Sequence, residues 1–324
     1  MKRITTLVSI ILLLALLLSS CNMDSNTGLF QEAGQSERKV NYTIYSVLAK
    51  ISEKEYLVSS TDGVFVFNVN ANNENAEKYL TGKDSTEVLF AKKDGSSWEF
   101  VYYNTDDNTY YKVTSESATP DKYENIDGKY KFSSSYTDLK DPANYALVFK
   151  DSEGKNYIYY GSYPTASFEP TKTEFEDVSY AGNGYFIGTK EKVRYIFKIE
   201  DLTGKPIDSN TVSVISDNCY ILKDGKIMVN GVNKNSSSDS ITVGSSSRVI
   251  SYTEGGKTYI ILPSTNTVFI YDGGTNLEMK DCAGLKNIEV KAILGVKNDS
   301  LNVITATSAA KSLNLKDGLI SDWV

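Results

Sequence analysis

The sequence predicts an all-β fold and, within that class, a β-propeller of about seven four-stranded blades, with six to eight blades left open. Three observations lead to this prediction. Short runs rich in β-branched and aromatic residues begin at Tyr42 and continue to the end of the chain. Turn-forming dipeptides that contain glycine separate these runs. One apolar strand pattern also recurs at intervals close to the length of a propeller blade.

The strand runs are rich in Val, Ile, Tyr, Phe and Thr, the residues that suit a pleated and partly buried surface. Examples are YTIYSVLA (42–49), GVFVFNV (63–69), YALVFK (145–150), VRYIFKI (193–199) and KTYIIL (257–262). A helical period is hard to find. The best helical candidate is the segment 278–291, which Gly284 interrupts.

Glycine-containing dipeptides lie between the runs and predict hairpin turns, because Gly accepts a positive φ and Asp tolerates one. They are Asp62-Gly63, Asp94-Gly95, Asp127-Gly128, Glu153-Gly154, Asp224-Gly225 and Gly255-Gly256. Many short strands joined by such turns are typical of a sandwich, a barrel, a β-helix or a propeller.

The spacing of one recurring apolar strand favours the propeller among these folds. Its copies are centred on Phe65, Val101, Ile158, Ile196, Ile227, Phe269 and Val303. The intervals average about 40 residues, close to one four-stranded blade, although single intervals range from 31 to 57. We expect residues 42–49 to complete the last blade and residues 318–324 to contribute there, which would hide strand edges.

One copy of the strand carries a more specific signature. Residues 196–205 read IFKIEDLTGK, a strand that ends in an acidic turn followed by Thr203, Gly204 and Lys205. This segment resembles the blade signature of PQQ-like propeller repeats, although Pro206 follows where the signature closes with tryptophan. The resemblance implies the propeller architecture and carries no expectation of quinone chemistry.

Residues 1–20 have the composition of a secretory signal peptide. Lys2 and Arg3 supply a positive start, and residues 10–18 form an uninterrupted apolar run of nine residues. A membrane-spanning helix needs about 20 apolar residues, so a cleaved leader is the stronger interpretation.

The leader ends in Leu18-Ser19-Ser20-Cys21, which resembles the lipobox of bacterial lipoproteins. In that family the cysteine thiol is joined to a diacylglycerol and cleavage follows on its N-terminal side. The resemblance implies that Cys21 is lipidated and that the protein is exported and anchored to a bacterial membrane. Because Asn22 rather than aspartate follows, the enterobacterial sorting rule favours the outer membrane or the cell surface. The alternative is an ordinary secretory signal with a cysteine at the cleavage site by coincidence.

The segment after the leader predicts a flexible tether. Residues 21–41 are polar, contain Gly28 and Gly34, and show no period. A flexible chain of that length spans roughly 25 Å on average, so the propeller domain (42–324) would stand off the bilayer.

Charge and composition exclude several functions. The formal net charge of −7 makes a nucleic-acid partner unfavourable, since phosphate binding relies on clustered Lys and Arg. The chain contains no histidine, which excludes Ser-His-Asp and Cys-His mechanisms and histidine metal sites. No motif predicts a metal or a cofactor, and none is expected.

Two further features leave alternatives open. Cys219 and Cys282 remain once Cys21 is assigned, and they are either a disulfide in an oxidising compartment or two buried thiols. Tyrosine is abundant, with 23 residues, and pairs such as Tyr102-Tyr103 place one ring on each face of a strand. Exposed rings would stack on sugars or anchor a protein, whereas otherwise tyrosine simply suits a half-exposed sheet.

These features favour a lipid-anchored binding or scaffold module for a protein or polysaccharide partner at the cell envelope. Catalysis stays open. The first alternative is a glycan hydrolase or lyase that uses paired carboxylates, which need no histidine. Two carboxylates about 5–10 Å apart in the central funnel would favour it, whereas a lining of Ser, Asn and Tyr would favour binding. The second alternative is an outer-membrane assembly factor, by analogy with a PQQ-like propeller lipoprotein in that role.

Overall fold

The structure is a computed structural model that describes residues 42–324, except 72, 74–75, 77–87, 96, 116, 140–143, 165–168, 236–241, 244–248, 308–309 and 324. The described residues belong to one compact unit that begins at Tyr42. The predicted signal peptide (1–20), Cys21 and the predicted tether (21–41) lie outside the described residues.

Seven antiparallel sheets follow one another along the described residues, and each consists of strands that are consecutive in sequence. Blade one contains β1 (Ile44–Lys50), β2 (Glu55–Ser60) and β3 (Gly63–Asn68). Blade two contains β4 (Val88–Asp94), β5 (Ser97–Asn104), β6 (Thr109–Thr114) and β7 (Ser117–Lys122). Blade three contains β8 (Lys131–Asp138), β9 (Asn144–Lys150), β10 (Asn156–Gly161) and β11 (Thr171–Lys172).

The remaining four blades repeat this order. Blade four contains β12 (Glu176–Gly182), β13 (Tyr185–Lys190), β14 (Val193–Lys198) and β15 (Asp201–Pro206). Blade five contains β16 (Thr211–Ser216), β17 (Cys219–Leu222), β18 (Ile227–Val229) and β19 (Val232–Asn233). Blade six contains β20 (Ile250–Glu254), β21 (Lys257–Ile261), β22 (Thr267–Tyr271) and β23 (Leu277–Asp281), and blade seven contains β24 (Val290–Lys297), β25 (Ser300–Thr305), β26 (Ala310–Asn314) and β27 (Ile320–Asp322).

The first strand of each blade is the innermost one. Strands β1, β4, β8, β12 and β24 contact the first strands of neighbouring blades, as β20 contacts β24. The sheets therefore radiate from a common axis, and the fold is a seven-bladed β-propeller with antiparallel blades, of which six are four-stranded and blade one has three strands in the described residues. The predicted fold class is confirmed.

Apolar clusters fill the spaces between blades. They explain why some strands can be recognised in the sequence as apolar runs and others cannot. One cluster joins blades two and three through Phe90, Val101, Leu147 and Phe149, all of which are buried. Middle strands such as β2 and β9 are buried along nearly their whole length, because a blade packs against a neighbour on each face. Such strands read as continuous apolar runs. Outer strands such as β15 and β23 are largely exposed and therefore polar.

The recurring strand pattern marks one strand in every blade. Five of the seven predicted centres lie on the third strand of a blade, whereas Val101 lies on β5 and Val303 on β25, the second strands. The two exceptions account for much of the unevenness of the intervals. The segment that resembles the PQQ-like signature forms the β14–β15 hairpin, where the Asp201 carboxylate accepts hydrogen bonds from the Thr203 N–H (3.0 Å) and hydroxyl (2.6 Å).

The ring closes where blade one and blade seven pack against each other and form a hydrogen bond. The prediction that residues 42–49 complete the last blade is wrong, because β1 pairs with β2 across a short turn and becomes the inner strand of blade one. The turn is closed by the Ile51 N–H, which donates to the carbonyl of Glu55 at 2.9 Å. The C-terminal expectation is confirmed, since β27 is the outermost strand of blade seven.

The best helical candidate of the sequence, residues 278–291, does not form an α-helix. This segment contains the end of the outer strand β23, a 3-10 turn (Ala283–Leu285) and the start of the inner strand β24. Asn287 has a φ of 61°, which a right-handed helix does not accommodate. Gly284 lies against the backbone of blade seven, where an added Cβ would be 2.7 Å from the Ile320 nitrogen. Across the described residues, we find no helix with the length and apolar character needed to cross a membrane.

Candidate functional site

The propeller axis contains a cavity of about 790 Å³, which we call the central cavity. Its walls come from the inner strands β1, β8, β20 and β24, together with the loop 262–266 and the loop that leads into β24. Asn183, in the turn between β12 and β13 of blade four, also lines it, so five different blades contribute to one site. Its size lies within the range of small-molecule binding sites.

The central cavity has both polar and apolar walls, the latter including the half-buried Leu139, Ile250 and Ile288, and most of its polar side chains are uncharged. Most of its apolar residues are buried beneath the surface, as Leu262 (1% exposed) and Ile293 (3%) illustrate. Hydroxyl and amide side chains lie at the surface instead, and they include Thr137, Ser251, Ser264, Asn266 and Asn287. Within the described part of the chain, none of these five side chains makes a hydrogen bond, so their donors and acceptors are available to a ligand.

Charged side chains are few in the central cavity. Lys291 donates to the Glu289 carboxylate at 2.8 Å, and the two charges offset each other. Lys286 lies exposed at the rim, and no ion-pair partner for it occurs among the described residues. Glu289 is the only carboxylate among the described residues that line the cavity. A pair of carboxylates, as glycan hydrolysis would need, is therefore not found in the described lining.

Tyr45 differs from the other aromatic residues of the protein. It is 46% exposed, and every other aromatic side chain in the described ranges is less exposed. The strand pairing explains why. Ile44 lies opposite Ser60 and Ser46 opposite Ser59, so Tyr45 is an extra residue in β1, a β-bulge. Bulges redirect a side chain, and this one places the Tyr45 ring at the wall of the central cavity.

Bulges recur on the inner strands of other blades. Lys291 is the extra residue at the start of β24, because Val290 lies opposite Thr305 and Ala292 opposite Ile304. Lys291 also lines the central cavity, and blade seven is adjacent to blade one. Two neighbouring blades thus use the same backbone irregularity to turn a side chain toward the axis.

The predicted site cysteines lie in different places. Cys21 lies outside the described residues. Cys219 packs in the apolar cluster between blades five and six, and Cys282 in the cluster between blades six and seven. Both are buried free thiols, which is the alternative that the sequence left beside a disulfide. Burial raises the pKa of Cys219 to about 12, and it also raises the pKa of Cys282.

The tyrosine pairs of the sequence belong mainly to the blades rather than to the cavity. Tyr102 and Tyr103 are both buried, and the ring of Tyr103 lies 5.0 Å from that of Tyr110. Sequence reasoning did not single out Tyr45, whose neighbours read TIYSV like many strands of this chain. Its exposure depends on a bulge, and the sequence carries no signal for it. In the described residues, no group of three His, Cys, Asp or Glu side chains is placed to hold a metal ion.

Comparison with known proteins identifies the fold and no family. No protein-family model matches the chain, and no curated protein matches it. A puromycin-hydrolysing peptidase of Mycobacterium tuberculosis is similar in structure, with a TM-score of 0.51, 7% identity, and coverage of 88% of this chain and 53% of that one. The chain thus spans about half the length of that peptidase.

Two other solved structures are similar over most of this chain. PorZ of Porphyromonas gingivalis, a surface component of the type-IX secretion system, has a TM-score of 0.40 and 12% identity, with coverage of 87% of this chain and 39% of that one. Virginiamycin B lyase of Staphylococcus aureus has a TM-score of 0.41 and 10% identity, with coverage of 82% and 92%. At such identities the likeness extends to the propeller fold alone.

Proposed function

We propose that this protein is an exported, lipid-anchored β-propeller that binds a glycan or protein partner at the cell envelope without catalysing its turnover. The observation that carries the proposal is the chemistry of the central cavity. Its accessible side chains include several hydroxyls and amides and the exposed ring of Tyr45 beside half-buried apolar residues, and its described lining holds a single carboxylate, Glu289. Such groups recognise a ligand by hydrogen bonds and ring stacking, and the described lining supplies no pair of carboxylates.

The lipid anchor and the cellular location are proposed from the leader sequence. The lipobox ending in Cys21 supports lipidation, and Asn22 supports the outer membrane or the cell surface. The hydrolase alternative is less well supported, because it requires a second carboxylate about 5–10 Å from Glu289. The assembly-factor alternative rests on fold analogy, and nothing in the cavity favours it.

The anchor is tested by labelling growing bacteria with an alkyne fatty acid. The wild-type chain should incorporate the label and remain with the membrane fraction, and globomycin should cause the precursor to accumulate. The variant Cys21→Ser should lose the label and leave the membrane. This variant keeps Cys219 and Cys282, so label that persists on it would show acylation elsewhere and contradict the assignment.

The absence of turnover is tested by incubating the purified chain with envelope glycans and analysing the products by mass spectrometry. We expect intact glycans, with the same result for Glu289→Gln. The contrary result is a steady release of shortened or unsaturated products by the wild type, with none from Glu289→Gln. That result would contradict the non-catalytic function and favour the hydrolase or lyase.

A further inference from the structure

The exposed ring of Tyr45 lies in a concave, polar site, and this combination points to the class of ligand. Of the aromatic side chains that the structure describes, the others are buried or half-buried, many in ring contacts between or within blades. Tyr45 makes no ring contact and no side-chain hydrogen bond in the described residues, so both its face and its hydroxyl are available. A solvent-exposed ring held by a bulge on a rigid inner strand is placed for recognition rather than for packing.

The polar side chains that line the cavity together with this ring belong to different blades. Ser251 belongs to β20 in blade six and Thr137 to β8 in blade three. Ser264 (φ 60°) and Asn287 (φ 61°) occupy left-handed backbone positions in the two loops that border the cavity. Four free hydroxyl and amide groups thus line the same cavity as the ring of Tyr45. Each is both a donor and an acceptor, a pattern that matches a ligand rich in hydroxyl groups.

The charge balance of the site decides between neutral and acidic ligands. Glu289 neutralises Lys291 at 2.8 Å, which leaves no net charge from this pair. Lys286 lies on an exposed loop, and the other lysine of the described lining is Lys291, which is already paired. Binding of an acidic chain relies on several cations or on a bidentate arginine, and neither is present in that lining. Most of the aliphatic lining residues are buried, which limits the apolar surface that could anchor a protein partner.

We propose that the central cavity binds the end of a neutral, hydroxyl-rich oligosaccharide, whose C–H face packs on the ring of Tyr45 while its hydroxyls pair with the surrounding Ser, Thr and Asn side chains. This inference rests on the proposed binding function and narrows its partner from a glycan or a protein to a neutral glycan.

The test uses the full-length lipidated chain in a detergent without a sugar headgroup, because a glycosidic detergent would compete for the site. Chitotriose, maltotriose and mannotriose are titrated as neutral probes, with trigalacturonate as the acidic probe. Saturation-transfer difference NMR detects contact, and calorimetry measures affinity. We expect at least one neutral trisaccharide to bind more tightly than trigalacturonate.

Three variants locate the site. Tyr45→Ala should weaken that binding about tenfold, the size of a lost aromatic contact, whereas Tyr45→Phe, which keeps the ring, should remain within about threefold. Val232→Ala removes a side chain that is 56% exposed on the outer strand β19 and should leave affinity unchanged.

Several results would overturn the inference. They are the failure of all neutral probes to bind, binding that survives Tyr45→Ala, and a preference for trigalacturonate that Lys286→Gln abolishes. These failures differ from a failure of the proposed function. If the chain is lipidated at Cys21 but binds no neutral probe, only the assignment of a neutral glycan as ligand is refuted. If the chain cleaves the bound probe, the proposed non-catalytic function is refuted.

Discussion

The backbone N–H of Ile44 donates a hydrogen bond to the carbonyl oxygen of Ala306 at 3.0 Å, and this bond joins blade one to blade seven. The Ile44 side chain is fully buried, whereas the next residue, Tyr45, is 46% exposed in the central cavity. Two adjacent residues of β1 therefore have separate tasks. Ile44 closes the ring, and Tyr45 faces the site at which we propose that a ligand binds.

Alanine substitutions should separate these two tasks. Ile44→Ala should lower the free energy of unfolding by about 2–5 kcal/mol, because it removes a fully buried side chain where the ring closes. Tyr45→Ala should change it by less than about 0.5 kcal/mol, since the ring is exposed and makes no contact that packing depends on. Urea unfolding followed by circular dichroism at pH 7 measures both. Equal destabilisation by the two variants would mean that Tyr45 is a structural residue.

A tyrosine hydroxyl joins blades two and three in a similar way. The Tyr145 hydroxyl donates to the carbonyl oxygen of Ala91 and accepts a hydrogen bond from the Ala91 N–H at 3.2 Å. Both residues are buried, so Tyr145→Phe would leave the backbone groups of Ala91 on the inner strand β4 without this partner. We expect a loss of about 1–3 kcal/mol in unfolding free energy.

The matched control for Tyr145→Phe is Tyr111→Phe. The Tyr111 hydroxyl donates to the Asp107 carboxylate at 2.6 Å, but that hydrogen bond lies at the surface. Its loss should leave the denaturation midpoint nearly unchanged. If the two variants lose the same stability, the contact between Tyr145 and Ala91 contributes no more than a surface hydrogen bond.

The parts of the fold that the sequence predicted are those buried on both faces. Middle strands such as β9 read as continuous apolar runs and were recognisable. The inner strand β8 reads KFSSSYTD, because several of its side chains face the cavity rather than a blade, and this polar sequence gave no strand signal. The cavity itself was not predictable, since it depends on residues from five blades that are far apart in sequence. The exposure of Tyr45 could be recognised only in the structure, because it depends on the β-bulge in β1.

The buried thiols predict slow chemistry in the folded state. Burial raises the pKa of Cys219 to about 12, so almost none of it is thiolate at pH 8, and the pKa of Cys282 is raised for the same reason. In Cys21→Ser, an aromatic disulfide reagent should react with neither thiol while the chain is folded. Both should react at once in 6 M guanidinium without a reductant. Rapid labelling of the folded chain would contradict the burial, and no labelling of the unfolded chain would reveal a disulfide.

The ion pair between Glu99 and Lys92 predicts how stability depends on pH. The pair joins β5 to β4 at 2.9 Å. Burial acts to raise the pKa of Glu99, but the interactions with Lys92, Tyr163 and Lys112 together outweigh it, so the pKa lies below its ordinary value of 4.5. A carboxyl whose pKa is lower in the folded state stabilises the fold above its unfolded pKa, and this contribution is lost as the pH falls through the folded pKa.

Glu99→Gln should therefore lower the unfolding free energy by up to about 1 kcal/mol at pH 7, a small value because solvent screens a half-exposed pair. The difference from wild type should stay constant down to about pH 4.5 and shrink at lower pH. Urea unfolding at several pH values between 3 and 7 measures it, with Glu53→Gln as the control because Glu53 pairs with Lys50 on the exposed surface. A difference that widens on acidification would mean that burial dominates and that the pKa of Glu99 is raised.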